Sequence, residues 1–217
     1  MSIPVQVGTG VHSMLVPART RSVRFSNTEI KHLIIGTALV TAAGVSFLRL
    51  SFLTDTVSSI FALAIATVIF AMGFILHELS HKYVAQRHGL WAEFRVNTMG
   101  VALTAISIFS PLKFIAPGAV VISGFADKDR MGLTALAGPV INLIITIGLL
   151  AALPAVPPAS LLYAPLLAGA AINAFLALFN LIPFAIFDGK KIYNWNRTYW
   201  ALMFIVALVL TIYTYVL

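Results

Sequence analysis

The sequence predicts an all-α polytopic membrane protein, with about five transmembrane helices and one membrane-associated or re-entrant hairpin segment at about 94–125. Three observations predict it. The 217 residues are 60% hydrophobic and only 10% charged, whereas a soluble domain holds about 45–50% apolar and about 25% charged residues. With a mean hydropathy of +0.98, a chain of this size cannot hide its apolar surface in one water-soluble core. Five stretches reach the roughly 20 apolar residues that a bilayer crossing takes. The placement of the cations then selects one path through the membrane.

The five stretches are roughly 32–53, 57–84, 132–153, 160–183 and 198–217. Residues 1–31 read as a cytoplasmic arm. In it Ile3, Val5 and Val7 alternate as in a short strand, and Arg19, Arg21 and Arg24 suit either anionic headgroups or plain solvent. A sixth apolar stretch, about 98–117, is interrupted by Gly100, Ser107, Ser110, Pro111, Lys113 and Pro117, and residues 96–103 and 119–122 suit short strands. If 98–117 crosses, the 14 Lys and Arg divide evenly between the two faces. If it dips and returns, or lies along the surface, every one except Arg49 falls on a single face. The positive-inside rule selects the second path, with the N-terminus cytoplasmic and the C-terminus outside. A non-helical dip requires protein or a water-filled cavity to satisfy its backbone groups. The segment 154–160 reads as a turn between two helices, and Trp91, Trp195 and Trp200 fall near the cytoplasmic boundary, as interfacial aromatics do.

There is no cysteine. Disulfides, thiolate metal sites and a cysteine nucleophile are excluded. The net charge of +7 would suggest nucleic acid on a soluble protein, but in this composition it reports membrane orientation and implies no nucleic-acid partner.

The second stretch ends in His77-Glu78-Leu79-Ser80-His81. Helical positions i and i+4 share a face, so two imidazoles there can bind one zinc ion, with the glutamate beside the first placed to act on water. Two imidazoles and a carboxylate are costly in hydrocarbon and mark a functional site; the plainer alternative is a polar contact between helices. A zinc site needs a third protein ligand and an open position. Of the other acidic residues, Asp55 is at the wrong end, Glu29 precedes the first span, Glu93 lies in a basic loop, and Asp127 and Asp129 read as solvated. Asp188 remains, set off from an apolar run by Pro183. In the five-span path it reaches the same membrane side as His77 and His81; in a six-span path it would not. Its alternative is an ordinary Asp-Gly turn.

With these residues in view, the sequence resembles the site-2 proteases, intramembrane zinc metalloproteases. The resemblance covers roughly 70–200 in three ordered motifs: HELSH (77–81), AGPVIN (137–142) and NLIPFAIFDG (180–189). It implies that His77, His81 and Asp188 bind one zinc ion, and that Glu78 is the catalytic base toward a zinc-activated water. It implies that Asn180 lies near the active centre and helps hold an unwound substrate segment. The substrate implied is a transmembrane protein, cleaved within the lipid bilayer by a single protease domain over 32–217, with a catalytic core of about 57–190. Ser80 replaces the glycine common in the family's first motif and points off the metal face. No PDZ or CBS domain is legible.

Asn142 fits two roles, helix packing beside Gly138-Pro139 or a hydrogen bond to substrate or oxyanion. The stretch 94–125 likewise fits either a docking edge for a substrate strand or simple membrane-surface packing. His88 reads as structural or solvent-facing. A metal-binding transporter or sensor is the alternative function, since intramembrane His, Asp and Glu also line ion paths; transporters often carry internal repeats, and none is visible.

Overall fold

A computed structural model of the chain describes residues 23–48, 57–110, 115–124, 126–184 and 187–217. In order, these form α1 (Asn27–Leu48), α2 (Val57–Arg87), β1 (Trp91–Val96), α3 (Thr98–Phe109), β2 (Gly118–Ser123), α4 (Lys128–Ala152), a 3-10 turn (Leu153–Ala155), α5 (Tyr163–Asn180), α6 (Asp188–Trp195) and α7 (Arg197–Val216). The expectations for Ile3, Val5, Val7, Arg19, Arg21, Arg49, Asp55 and Lys113 lie outside the described residues.

Among the described residues, four helices are long and apolar enough to cross a membrane, over Ser59–Arg87, Lys128–Ala155, Tyr163–Asn180 and Arg197–Val216. α1 begins at Asn27, earlier than the expected 32, and carries Glu29 and Lys31 near its start. Helices α2, α4 and α5 pack on one another at the centre. α1 lies along α2 and supports α3 and β1; α7 flanks α5, and α6 bridges α4 and α7. One apolar cluster joins Val40, Phe70, Phe74, Phe94 and Leu176, and a second joins Leu143, Ala177, Leu181, Ile192 and Ala207. The helices also turn Ile60, Val68, Ile144, Ile205 and Val209 outward, while Asn142, Thr146 and Asn173 are fully buried. Apolar residues outside and amides inside suit a bilayer, where hydrocarbon covers the exterior and polar groups find partners within.

The hairpin expected at 94–125 is present. β1 pairs antiparallel with β2, from Trp91 opposite Ser123 to Val96 opposite Gly118, and α3 fills the connection. The first strand, however, covers 91–96, and 98–103 is helical. The reason is local: the Asn97 side chain accepts from the Met99 and Gly100 amides and caps a helix start. With 12 residues, α3 is only about 18 Å long, short of the roughly 30 Å of bilayer hydrocarbon.

Candidate metal centre

His77 and His81 sit one turn apart on α2, and α6 begins with Asp188. Their Nε2 atoms are 3.1 Å from each other. Asp188 Oδ2 is 3.4 Å from His77 Nε2 and 3.0 Å from His81 Nε2. Zinc bonds of about 2.0–2.1 Å make a tetrahedron whose edge is about 3.3 Å, so the three donors are spaced as one face of it.

The protons support the same fit. His81 Nδ1 lies 2.7 Å from the Thr134 carbonyl oxygen. A carbonyl only accepts, so Nδ1 carries a proton, and in the neutral ring that binds a metal the lone pair is then on Nε2. His77 Nδ1 meets Asn142 Oδ1 at 2.5 Å, with the same result. Two imidazole lone pairs and a carboxylate oxygen thus face one point. They repel one another unless a cation lies between them, and nitrogen and oxygen donors of this kind suit zinc.

Asp188 reaches the site because the chain breaks from α5 at Pro183 and restarts as α6. Lys191, one turn further on, places Nζ 3.2 Å from Asp188 Oδ1. One carboxylate oxygen thereby faces the imidazoles and the other a lysine. Gly138 of α4 faces the donors: a Cβ there would fall on the Nε2 atoms of both histidines. Only glycine lets α4 come this close while Thr134, one turn earlier, offers its carbonyl.

Glu78 opens with His77, His81 and Asp188 onto a cavity of about 400 Å³, walled also by Asn180, α3 and β2. The Val120 backbone amide faces Glu78. The orientation of β2 follows from two bonds made by β1. The Phe94 N–H donates to Glu29 Oε1 at 3.0 Å, and the Ala92 carbonyl accepts from Gln86 at 3.1 Å. These β1 groups therefore point away from β2. Their partners Val120 and Ile122 must in turn point their backbone N–H and C=O away from β1, because antiparallel pairs alternate in this way. The outward edge of the two-stranded sheet lines the cavity.

Asn180 ends α5 on the cavity wall, with Nδ2 donating to the Leu176 carbonyl at 3.0 Å. Asn142 is placed differently. It is wholly buried behind His77, and its Nδ2 donates to the Gly73 carbonyl at 3.2 Å and to Asn173 Oδ1 at 2.9 Å. His88 is half-buried near the end of α2 and does not line the cavity. Trp200 Nε1 donates to the Leu181 carbonyl and Trp195 Nε1 to Asp129, both at 2.8 Å, which fastens the segment carrying Asp188. The sequence reading missed Thr134, Lys191 and Asn173; an amide inside an apolar span was the available signal for Asn173.

No family model matches the chain, and no solved structure matches it. Over 183 residues it is 37% identical to the "Putative zinc metalloprotease MJ0611" of Methanocaldococcus jannaschii, an alignment covering 83% of this chain and 91% of that one. The chain belongs to the site-2 protease family of zinc metalloproteases.

Proposed function

We propose that the protein hydrolyses peptide bonds within membrane-spanning helices of other proteins, at one zinc ion held by His77, His81 and Asp188, with Glu78 as general base. The observation that carries this reading is the convergence of the three donors and Glu78 on one cavity inside a bundle of long apolar helices. In this reading 32–217 is a single protease domain. Its passes are α1, α2, α4, α5 and α7, and the N-terminal arm and the opening of the site are cytoplasmic. His77 then lies about 15 Å inside the end of α2 at Arg87, at 1.5 Å per residue.

A peptide bond in a membrane helix is protected by its own hydrogen bond and by scarcity of water. The cavity admits water to Glu78, and the free edge of β2 offers backbone partners to an unwound substrate segment, which adds as a strand. Asn180, also on the cavity wall, holds that segment. When bound, zinc supplies a Lewis acid that activates water and polarises a carbonyl. Glu78 takes a proton from the attacking water as its oxygen bonds the scissile carbon. It delivers that proton to the amide nitrogen as the C–N bond breaks.

The test is a reporter with one membrane helix, co-reconstituted with the enzyme in liposomes. The wild type cleaves it. Glu78→Gln keeps its zinc by elemental analysis and loses about 10²–10⁴-fold in rate, the usual contribution of a general base. Undiminished cleavage by the variant removes Glu78 from the role.

A further inference from the structure

We propose that Asn142 and Asn173 are positioning residues that place the proton of His77 on Nδ1, so that its Nε2 lone pair faces the cation site. The proposal deepens the zinc-site reading and rests on it.

The two amides are fully buried, and the hydrolytic steps leave them without a task. Their hydrogen bonds form a directed chain that starts from a backbone carbonyl. Asn173 Nδ2 donates to the Gly169 carbonyl at 2.9 Å. A carbonyl only accepts, so the nitrogen of that amide must stand there and its oxygen on the other side. That oxygen accepts from Asn142 Nδ2 at 2.9 Å, and the Gly73 carbonyl accepts from the same nitrogen at 3.2 Å. Asn142 is therefore left with only its oxygen to turn toward His77, at 2.5 Å. An oxygen there requires a proton on Nδ1 and leaves Nε2 bare.

Turning either amide over sets like groups against each other in a dry interior, where unmade hydrogen bonds are costly. Carbonyls on α5 and α2 thus decide the tautomer of a ring on α2. The close approach this needs is built in at Gly73, where a Cβ would fall on the Asn173 amide. His81 has its tautomer set by another device, the Thr134 backbone carbonyl. Side-chain substitution can therefore disturb one ligand and leave the other as an internal control.

The experiment reads the imidazole ¹⁵N shifts of the metal-free full chain in detergent, together with zinc affinity by chelator competition. In the wild type both His77 and His81 report Nδ1–H. Asn142→Leu shifts His77 toward Nε2–H, leaves His81 unchanged, and weakens zinc binding about 10–100-fold, as loss of an outer hydrogen-bond partner does. Asn142→Asp keeps an oxygen toward His77 and so keeps its Nδ1–H, while its second oxygen loses the donations to the Gly73 carbonyl and Asn173 Oδ1 and affinity recovers only in part. Asn173→Leu, which retains the Gly73 anchor, weakens zinc by a smaller factor and serves if Asn142→Leu does not fold. The proposal is overturned by an unchanged His77 tautomer in Asn142→Leu, by wild-type zinc affinity in Asn173→Leu, or by a His77 tautomer that shifts as far in Asn142→Asp as in Asn142→Leu. The shifts are read without metal, so a wild type that fails to cleave membrane helices sinks the proteolytic reading and leaves this one to its own result.

Discussion

The Lys82 ammonium and the Glu29 carboxylate form an ion pair from which solvent is wholly excluded. Lys82 directly follows His81 on α2, and Glu29 stands in the first turn of α1. The second carboxylate oxygen of Glu29 accepts the Phe94 N–H of β1, and Lys82 Nζ lies 4.0 Å from the centre of the Phe25 ring. One carboxylate thus joins the helix of the metal ligands, the first helix and the sheet whose far edge walls the cavity.

Removing the lysine alone leaves that carboxylate buried without a counter-charge. Breaking a buried pair in this way costs about 3–5 kcal/mol, whereas neutralising both partners costs far less. Lys82→Met is therefore expected to unfold well below the wild type in detergent. Lys82→Met with Glu29→Gln, which still offers an oxygen to Phe94, recovers most of the loss. Equal destabilisation of the single and double variants would mean that the charge is not what matters.

Asp188 serves the donor cluster and Lys191, and no core packing depends on its side chain. Asp188→Ala is expected to keep its helical content by circular dichroism. Its zinc affinity falls by more than the about 10–100-fold typical of an outer partner, because a direct ligand is lost. Full zinc occupancy under chelator challenge in this variant would place the third ligand elsewhere.

Gly138→Ala separates helix propensity from the site. Alanine favours the helix by about 1 kcal/mol over glycine, yet its methyl falls on both Nε2 atoms. The expected variant is folded and poor in zinc. Normal metal content per chain would show that α4 can withdraw without harm.

The parts legible in the sequence were those written in local spacing. His77 and His81 at i and i+4 announce a shared face, and Asp188 follows by elimination because so few acidic residues compete with it. Proximity between distant segments was not legible. Glu29 was set aside because it precedes the first span, and nothing near it in sequence names Lys82 as its partner. The Asn173 amide reads as one polar residue in a span until α2 and α4 are brought against it. The strand of the hairpin was displaced because the Asn97 cap outweighed the β-branched residues after it. The α6 helix went unread because its eight residues are too few for a periodic pattern to stand out.

The free edge of β2 makes a prediction that depends on which way its backbone groups point. Ile122 lies opposite Ala92, whose carbonyl is turned away to Gln86, so the Ile122 N–H is on the cavity side and contributes nothing to the pairing with β1. Ile122→Pro removes that donor and leaves the ladder intact, and proline is tolerated on an edge strand when its position faces outward. Val121, opposite Glu93 in the alternate pair, has its N–H in the ladder, and Val121→Pro breaks the sheet itself. If an unwound substrate adds to this edge, Ile122→Pro loses one intermolecular hydrogen bond. Its kcat/KM toward a membrane-helix reporter then falls about two- to tenfold, the equivalent of about 0.5–1.5 kcal/mol. Zinc content and thermal stability stay near wild type, while Val121→Pro loses stability as well. Wild-type kcat/KM in Ile122→Pro would exclude strand addition at this position and return the hairpin to a packing role at the membrane surface.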